Sequence, residues 1–279
     1  MSAPPAVTGV AGAHNISAAE FARFQTWLHQ VAGISLADHK KTLLTGRLAK
    51  RLVPCGVRDY GEYFDLLMGG TRPGELQVAI DLLTTNETYF FREPAHFEFL
   101  ATQILPQHAG AEPFRIWSAA SSSGEEAYTL SMVLADTLGL GRRWEVFGSD
   151  LSTRVLETAR RGHYPMTRAD KIPNDFLKRF CLKGTGPQEG TFLMERSLRE
   201  RVSFAQINLN ANLPDTGLFD VVFLRNVMIY FNLETKRQVV SRILARLRPG
   251  GWLFVSHSEN LHGVTDRVDA VKPSVYRLK

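Results

Sequence analysis

Apolar residues near the start of the chain recur every three or four positions, as they do on one face of a helix. The first such set is Phe21, Phe24, Trp27, Leu28 and Val31. Ser17 and Glu20 have the spacing of a capping box at a helix start, and Gly33 is a typical residue for a helix end. The pattern therefore predicts a helix between Ser17 and Gly33.

Three further helices are predicted before residue 84. Asp38 is a suitable cap for a helix that ends near residue 53, ahead of Pro54 and Gly56. The other two cover residues 60–68 and 75–83, with a break rich in glycine and proline between them. Since no strand pattern occurs in this region, it is predicted to be wholly helical.

After residue 90 the pattern changes to an alternation of strands and helices. Pro94 suits the first turn of a helix, and later helices are predicted at residues 124–138, 152–161 and 233–247. Strands are predicted at residues 114–120, 144–150, 202–209, 219–226, 252–258 and 274–279. The sequence FDVVFLRN is apolar almost throughout, as expected for a strand covered on both faces. The alternation predicts an α/β fold with a doubly wound, mostly parallel sheet.

One stretch, GTGPQEGTFLMERSLRERVSF, interrupts the alternation. It contains two short strand patterns, at about residues 192–195 and 202–204, which indicate a small antiparallel β subdomain inserted at about residues 184–204. The predicted organisation is a disordered tail (1–14), a small all-α N-terminal domain (15–74), a linker helix with a connecting segment (75–93) and a sheet domain (94–279). The tail lacks the basic start and long apolar run of a signal peptide.

The composition is that of a globular protein, with 279 residues of which 44% are hydrophobic and 22% charged. No apolar run approaches the roughly 18 residues of a membrane span, so we expect no membrane insertion. Two cysteines, Cys55 and Cys181, do not make a disulfide framework, and they favour a cytoplasmic location. The net charge of +5 permits an acidic partner without requiring nucleic acid.

The turn between the first predicted strand and its helix, SAASSSGEEAY, carries two acids next to a single glycine. A dinucleotide loop would need the pattern G-x-G-x-x-G and no acid facing the pyrophosphate. Both Ser122 with Glu125 and Ser123 with Glu126 fit a capping box. The sequence also lacks a P-loop, a G-x-S-x-G elbow and histidines at metal-ligand spacing. An enzyme of this kind would work without a metal or a dedicated nucleophile.

Three features are candidates for a ligand site, and two of them lie at the carboxyl edge of the predicted sheet. Asp150 ends the second strand, where an acid commonly accepts hydrogen bonds from ribose hydroxyls; the alternative is that it caps the next helix, and the two roles can coexist. Arg225 and Asn226 end a buried strand at the same rim, or simply emerge into water. The segment TTNETYFFREP, at the junction of the two domains, could line a cleft or be a polar linker with apolar anchors.

A basic stripe on the second predicted helix is the main surface feature. Lys40, Arg47 and Arg51 fall on one line, beside an apolar face that carries leucines. The stripe is either a solvated face or a docking surface for a polyanion. It has no interleaved aromatic residues to stack bases, which disfavours nucleic acid relative to an acidic protein helix.

Six segments together resemble the chemotaxis receptor glutamate methyltransferases, the CheR family. They are TNETYFFREPAHF, WSAASSSGEEAY, FGSDLS, FLRNVMIYF, LRPGGWLFVSHSENL and DHKKTLLTGRLAKRL, in the family's order and spacing from about residue 15 to residue 279. The resemblance implies a Rossmann-like domain that binds S-adenosylmethionine. It also implies methyl transfer to glutamate side chains on cytoplasmic chemoreceptor helices, with S-adenosylhomocysteine as product.

The resemblance also implies roles for individual residues. The implied cofactor contacts are Asn86, Thr88, Arg92, Glu126, Asp150, Asn208, Leu209, Arg225 and Asn226. Glu126, rather than Glu125, is expected to meet the ammonium group of the cofactor. Arg92 and Tyr230 are expected at the reacting groups, Arg92 for a carboxylate and Tyr230 as a wall near the methyl group. The implied docking residues are Lys40, Arg47, Lys50 and Arg51.

The expected partner is a methyl-accepting chemoreceptor, bound by a monomeric enzyme. Some family members also hold a receptor's C-terminal pentapeptide on the β subdomain, but Lys183 and Leu193 stand where arginines are expected. Smaller departures are Ser121 and Ala127. Two alternatives stay open: a methyltransferase acting on a small molecule or tRNA, and a methyltransferase-like domain without catalytic activity.

Overall fold

The computed structural model describes residues 15–108 and 112–279. The predicted tail lies outside the described residues. The helices are α1 (Ala18–Ala32), α2 (Lys41–Cys55), α3 (Tyr60–Gly69), α4 (Glu75–Leu83), α5 (Pro94–Phe99), α6 (Glu125–Leu138), α7 (Thr153–Arg161), α8 (Asn174–Phe180), α9 (Arg196–Arg199) and α10 (Leu233–Leu244). The strands are β1 (Phe114–Ser118), β2 (Trp144–Asp150), β3 (His163–Pro165), β4 (Cys181–Lys183), β5 (Thr191–Met194), β6 (Val202–Gln206), β7 (Phe219–Phe223), β8 (Leu247–Phe254), β9 (Val268–Lys272) and β10 (Val275–Leu278).

Helices α1 to α4 surround one apolar core, to which the predicted face of α1 contributes Phe21, Phe24, Trp27 and Leu28. The capping box of Ser17 and Glu20 is present, and Gly33 ends α1 in a left-handed conformation. The predicted cap at Asp38 is wrong. Asp38 begins a short turn before α2 and accepts a hydrogen bond from the side chain of Gln25.

Helix α2 also continues past the predicted end. Pro54 lies in its last turn, where a proline removes a single helical hydrogen bond, and left-handed Gly56 ends the helix. Helix α4, predicted as a linker, packs into the helical core through Ala79, Ile80 and Leu83. Helix α4 therefore belongs structurally to the helical unit.

In the described residues, the main sheet has seven strands in the order β6-β2-β1-β7-β8-β10-β9. The first five are parallel to their neighbours, and β10 pairs antiparallel with both β8 and β9. Apolar clusters cover both faces of the sheet. The predicted doubly wound, mostly parallel sheet is confirmed. Strand β9 was not predicted, because its side chains are half-buried or exposed and give no apolar alternation.

The small β subdomain is a separate three-stranded antiparallel sheet in the order β3-β5-β4. Its strands lie at residues 163–165, 181–183 and 191–194, so the predicted bounds of 184–204 are corrected upstream. Only the strand predicted at 192–195 belongs to it. Residues 202–204 pair in parallel with β2 in the main sheet. Strands of three residues are too short to show an alternation of polar and apolar positions.

Contacts between the helical domain and the sheet domain are specific as well as apolar. Asp81 in α4 accepts hydrogen bonds from the backbone N–H of Thr153, at 3.0 Å, and from its hydroxyl, at 2.9 Å. The N-cap residue of α7, Ser152, makes no side-chain cap of its own. An acid of one domain thus caps a helix of the other.

A search of the described residues finds no helix with both the length and the apolarity needed to cross a membrane. Cys55 is buried, Cys181 is half-buried, and both are free thiols.

Candidate active site

A cavity of about 400 Å³ lies where the helical domain meets the carboxyl ends of the parallel strands. Its walls come from the connection between α1 and α2, from the segment after α4, and from the loops that follow β1, β2, β6 and β7. Chain order reverses between β1 and β7, and this switch point is the usual ligand crevice of an open α/β sheet. The volume is in the range of small-molecule sites.

All nine predicted cofactor residues line this cavity: Asn86, Thr88, Arg92, Glu126, Asp150, Asn208, Leu209, Arg225 and Asn226. Tyr230 and Lys40 line it too, whereas Arg47, Lys50 and Arg51 do not. The residues implied by the resemblance, from five separate segments, therefore lie together in one place. Their contacts with a cofactor stay predictions.

The serine-rich turn after β1 is not a capping box, so both capping interpretations are wrong. Gly124 is the N-cap of α6, and no side chain caps that helix. A Cβ atom at Gly124 would lie 2.9 Å from Ala159 and from the hydroxyl of Tyr164. Left-handed Ser122 turns instead towards the cavity, where its hydroxyl donates to the carbonyl of Asn86 at 2.8 Å.

The two adjacent acids of α6 have different environments. Glu125 is 0% exposed, accepts a hydrogen bond from the Ser123 hydroxyl and pairs with Arg168 at 3.0 Å. Glu126 faces the cavity, accepts from the Ser118 hydroxyl at 2.7 Å and pairs with Arg225 at 2.8 Å. Burial raises the pKa of both carboxyls, and the positive partners oppose that rise. Only Glu126 is placed to meet a ligand.

Arg225 joins the acids on this side of the cavity. Its side chain is 1% exposed and lies between Glu126 and Glu93, at 2.8 and 3.1 Å. It also donates to the carbonyl of Arg92, and its Nε has no partner among the described residues. Because it neutralises two acids at once, Arg225 determines how much negative charge faces the cavity.

Asp150 is held with both carboxylate oxygens oriented. Its Oδ2 accepts the N–H of Ser122 and its Oδ1 the N–H of Ser152, each at 2.9 Å. Burial raises the pKa of Asp150, and these backbone hydrogen bonds lower it. Thr153, in the first turn of α7, is bonded by Asp81 instead, so the alternative of Asp150 as the cap of α7 is wrong.

Two asparagines on the cavity wall are engaged with the protein. The Asn208 amide donates to the carbonyl of Val31 at 2.6 Å, at the end of α1, and accepts the N–H of Asn210 at 2.9 Å. Asn226 has a left-handed backbone with φ of 57°. Leu209 is buried and provides an apolar surface. The side chain of Asn208 therefore fixes the domain contact, which sequence reasoning did not anticipate.

Arg92 and Tyr230 lie on the cavity wall and are half-buried. Arg92 donates to the carbonyl of Glu87 at 3.0 Å, and its guanidinium lies 5.5 Å from the ring centre of Tyr89. Among the described residues it has no ion pair, so its charge is available to an anion in the cavity. The carbonyl of Tyr230 accepts the N–H of Ser35 at 2.8 Å.

The four implied docking residues separate into two pairs. Arg47 donates to the carbonyls of Leu83 and Thr84 and to the Thr85 hydroxyl, at 2.7 to 3.1 Å. Arg51 forms two hydrogen bonds to buried Glu75, at 2.9 and 2.7 Å, and these raise the pKa of Arg51. These two arginines are thus structural in this conformation.

Lys40 and Lys50 are the other pair of implied docking residues. Both are exposed and make no ion pair with a described residue. They are the members of the predicted docking set that remain available to a partner.

Three residues around Arg225 were not predicted, although their segments were noted. Glu93, His96 and His257 lie with one ligand atom each within 4.8 Å of one another. Burial, together with Arg225 and His257, lowers the pKa of His96 to about 3. A guanidinium nitrogen of Arg225 lies 3.1 Å from the same Glu93 oxygen, so an arginine already takes the place of a cation there.

The fold and the site define an α/β protein for a nucleoside-type ligand. Its second strand ends in the buried acid Asp150, and the turn after its first strand lacks the glycines of a dinucleotide loop. The family model described as the CheR methyltransferase, SAM binding domain, matches residues 86–277. The model described as the CheR methyltransferase, all-alpha domain, matches residues 19–84. The chain belongs to the CheR methyltransferase family.

Curated relatives agree with this assignment over nearly the whole chain. A chemotaxis protein methyltransferase of Escherichia coli (strain K12) is 43% identical over 265 residues, which cover 94% of this chain and 92% of the relative. One from Salmonella typhimurium is 40% identical, covering 94% and 91%. Chemotaxis protein methyltransferase 2 of Pseudomonas aeruginosa is 41% identical, covering 92% of each. The predictions of an S-adenosylmethionine-dependent methyltransferase and of a role in chemotaxis are confirmed.

Proposed function

We propose that the chain transfers the methyl group of S-adenosylmethionine to glutamate side chains on the cytoplasmic helices of chemoreceptors. The supporting observation is the chemistry of the cavity wall. Its described residues include no histidine, the side chain that most often serves as a general base. A glutamate acceptor needs no base, because its carboxylate is already ionised at neutral pH.

The groups on the wall fit the chemistry of the cofactor. Buried Asp150 can accept hydrogen bonds from the ribose hydroxyls, and Glu126 can accept from the ammonium group. Arg92, whose charge is not paired, suits the methionyl carboxylate or the carboxylate of the acceptor. S-Adenosylmethionine supplies a methyl group on a positively charged sulfur, which is a strong electrophile.

The residues of the chain contribute mainly alignment and exclusion of water. Arg92 and Tyr230 orient the acceptor carboxylate beside the methyl-donor site, and the domain contact shields the cavity from solvent. Neutralisation of opposite charges is easiest where water is scarce. A receptor helix laid over the mouth of the cavity completes that enclosure.

Lys40 and Lys50 form the docking surface of the enzyme for an acidic receptor helix. Lys40 lies on the cavity wall and Lys50 is exposed on α2, so a bound helix would be guided towards the reacting groups. The enzyme acts in the cytoplasm, where the receptor helices lie, and as a monomer.

The β subdomain is the place for a receptor C-terminal peptide. Strand β4 is at the edge of its sheet, and Leu182 there is 46% exposed, so an extended peptide can add as a further strand. Such a tether raises the local concentration of enzyme near its substrates. Calorimetry with receptor C-terminal pentapeptides tests this step, and the absence of heat at high peptide concentration refutes it.

The transfer reaction is tested with S-adenosylmethionine carrying a tritiated methyl group. Label should enter receptor membranes as a base-labile ester, and a receptor whose methylation-site glutamates are replaced by alanine should stay unlabelled. Label in RNA, or label in receptor that resists base, would refute the proposed acceptor.

A further inference from the structure

The segment after β7, residues 226–231, carries Tyr230 into the cavity wall and is held by a single buried carboxylate. Glu259, which is 8% exposed, accepts the backbone N–H groups of Asn226 and Ser256 on Oε2, each at 2.9 Å. Its Oε1 accepts the N–H of Ile229 at 3.2 Å. Three N–H groups of two loops thus converge on one side chain.

The loop needs such support because of its backbone conformation. Asn226 has φ of 57°, a left-handed value that costs free energy for a residue with a side chain. Its N–H is one of the three that Glu259 binds. The carboxylate therefore helps to hold Asn226 in the conformation that turns the chain from β7 into the cavity wall.

The opposite side of the loop is held by the helical domain. The N–H of Ser35 donates to the carbonyl of Tyr230 at 2.8 Å, and Ile34 forms an isolated antiparallel bridge with Phe231. Ile229 and Tyr230 therefore lie between Glu259 on one side and residues 34–35 on the other. Neither holding group is among the predicted site residues.

We propose that Glu259 is the positioning residue of the segment 226–231. Its Oε1 fixes Ile229, and through Ile229 it holds Tyr230 at the methyl-transfer site. This rests on the proposed place of Tyr230 beside the acceptor. Glu259 touches neither reacting group, and its effect is on alignment. The expected signature is a loss of turnover with cofactor affinity retained.

The variant Glu259→Gln separates these two effects. With its oxygen placed where Oε2 lies, glutamine still accepts from Asn226 and Ser256, but its amide nitrogen then faces the N–H of Ile229. Loss of one hydrogen bond to a charged group predicts a fall in kcat of roughly 10- to 100-fold. The KM for S-adenosylmethionine and the Kd of S-adenosylhomocysteine by calorimetry should change by less than about threefold.

The control is Glu234→Gln, an exposed acid of α10 bonded to the Gln238 side chain, which should keep the wild-type kcat. An unchanged kcat in Glu259→Gln overturns the proposal. So does a fall in kcat matched by an equal loss of cofactor affinity, because that pattern indicates general damage to the pocket.

The variant Glu259→Asp and a parallel assay of the wild type provide two further tests. If Glu259→Gln does not fold, Glu259→Asp keeps the charge but is one methylene too short to reach all three N–H groups, and the same split is expected. Wild-type enzyme is assayed in parallel on receptor membranes. If the wild type esterifies no receptor glutamate, the proposed function fails, whereas an active wild type with a normal Glu259 variant refutes only the positioning role.

Discussion

Glu125 and Glu126 are adjacent in the chain, but the geometry of the helix places their side chains in different environments. Successive residues of a helix point about 100° apart, so Glu125 turns towards Arg168 while Glu126 faces Arg225 and the cavity. The sequence offered two capping boxes as an alternative, and both are ruled out because Gly124 is the N-cap of α6 and no side chain caps that helix. Position at a helix start alone does not show whether an acid caps the helix or faces a ligand.

The assignment predicts an asymmetric response to neutralisation. Glu126→Gln should weaken S-adenosylhomocysteine binding by roughly 10- to 100-fold, because a hydrogen bond between charged groups becomes a neutral one. Glu125→Gln should leave the Kd within about threefold and lower stability instead. Calorimetry and urea unfolding of the two variants measure these effects, and equal losses of affinity would contradict the assignment.

At the scale of elements, helix α2 combines a structural face with part of the proposed docking surface. Period alone placed Lys40, Arg47 and Arg51 in one line, and it could not show that two arginines were already bonded. The partners of Arg47 lie at the end of α4 and those of Arg51 at its start. Contacts between elements distant in sequence have no local signal.

The consequence for α2 is a separation of functions between two basic residues. Arg47→Ala frees the carbonyls of Leu83 and Thr84, just before cavity residue Asn86, and should weaken S-adenosylhomocysteine binding about tenfold. Lys50→Ala should instead raise the KM for receptor several-fold at low salt and leave the cofactor Kd unchanged. Kinetics at two ionic strengths and calorimetry distinguish them. Equal effects of both variants on receptor KM alone would show that Arg47 docks the receptor.

Elements whose apolar residues recur with a regular period could be predicted from the sequence. Elements that depend on pairing with strands elsewhere in the chain could not. The parallel strands and long helices follow apolar spacing, since burial on one or both faces leaves that trace in the sequence. The three-residue strands of the β subdomain and the edge strand β9 depend on partners elsewhere. Asp150, Arg225 and Asn226 could be predicted because they lie at or just after strand ends, whereas the other cavity residues were implied by the family resemblance. Glu259 could not be predicted, because its role is to bind backbone groups.

For the whole molecule, stability depends on the domain contact. Asp81→Ala removes the cap of α7 and should lower the free energy of unfolding by about 1–2 kcal/mol. The matched control, Glu157→Ala, alters an exposed acid on α7 itself and should stay within about 0.5 kcal/mol of wild type. Urea unfolding measures both variants. A loss in Glu157→Ala as large as that in Asp81→Ala would contradict the capping role.

Acid should destabilise the protein partly through His96, which is 2% exposed. Its pKa is about 3 in the folded state, below the ordinary value near 6.5. Between these two pH values His96 is protonated in the unfolded chain and neutral in the folded one. The free energy of unfolding therefore decreases as pH falls from about 6.5 towards 3. The contribution is at most about 1.4 kcal/mol per pH unit.

Urea unfolding across this pH range tests the role of His96. His96→Asn should show a shallower loss than wild type between pH 6.5 and pH 4. Above pH 7 both proteins should have flat profiles with respect to this group. Parallel profiles at every pH would mean that His96 is not responsible.

The amide of Asn208 and the N–H of Ser35 cross the boundary between the domains, and they have a consequence for protein engineering. The helical domain, which carries the proposed docking surface for the receptor, also supplies part of the cavity wall, from residues 32–40. Exchanging the helical domain between relatives to redirect receptor choice would also exchange that wall. A chimera would also need, from the relative that supplies its helical domain, the residues that contact that domain: Asn208 and the segment 226–231 with Tyr230. The two domains of this enzyme are therefore expected to be inherited together.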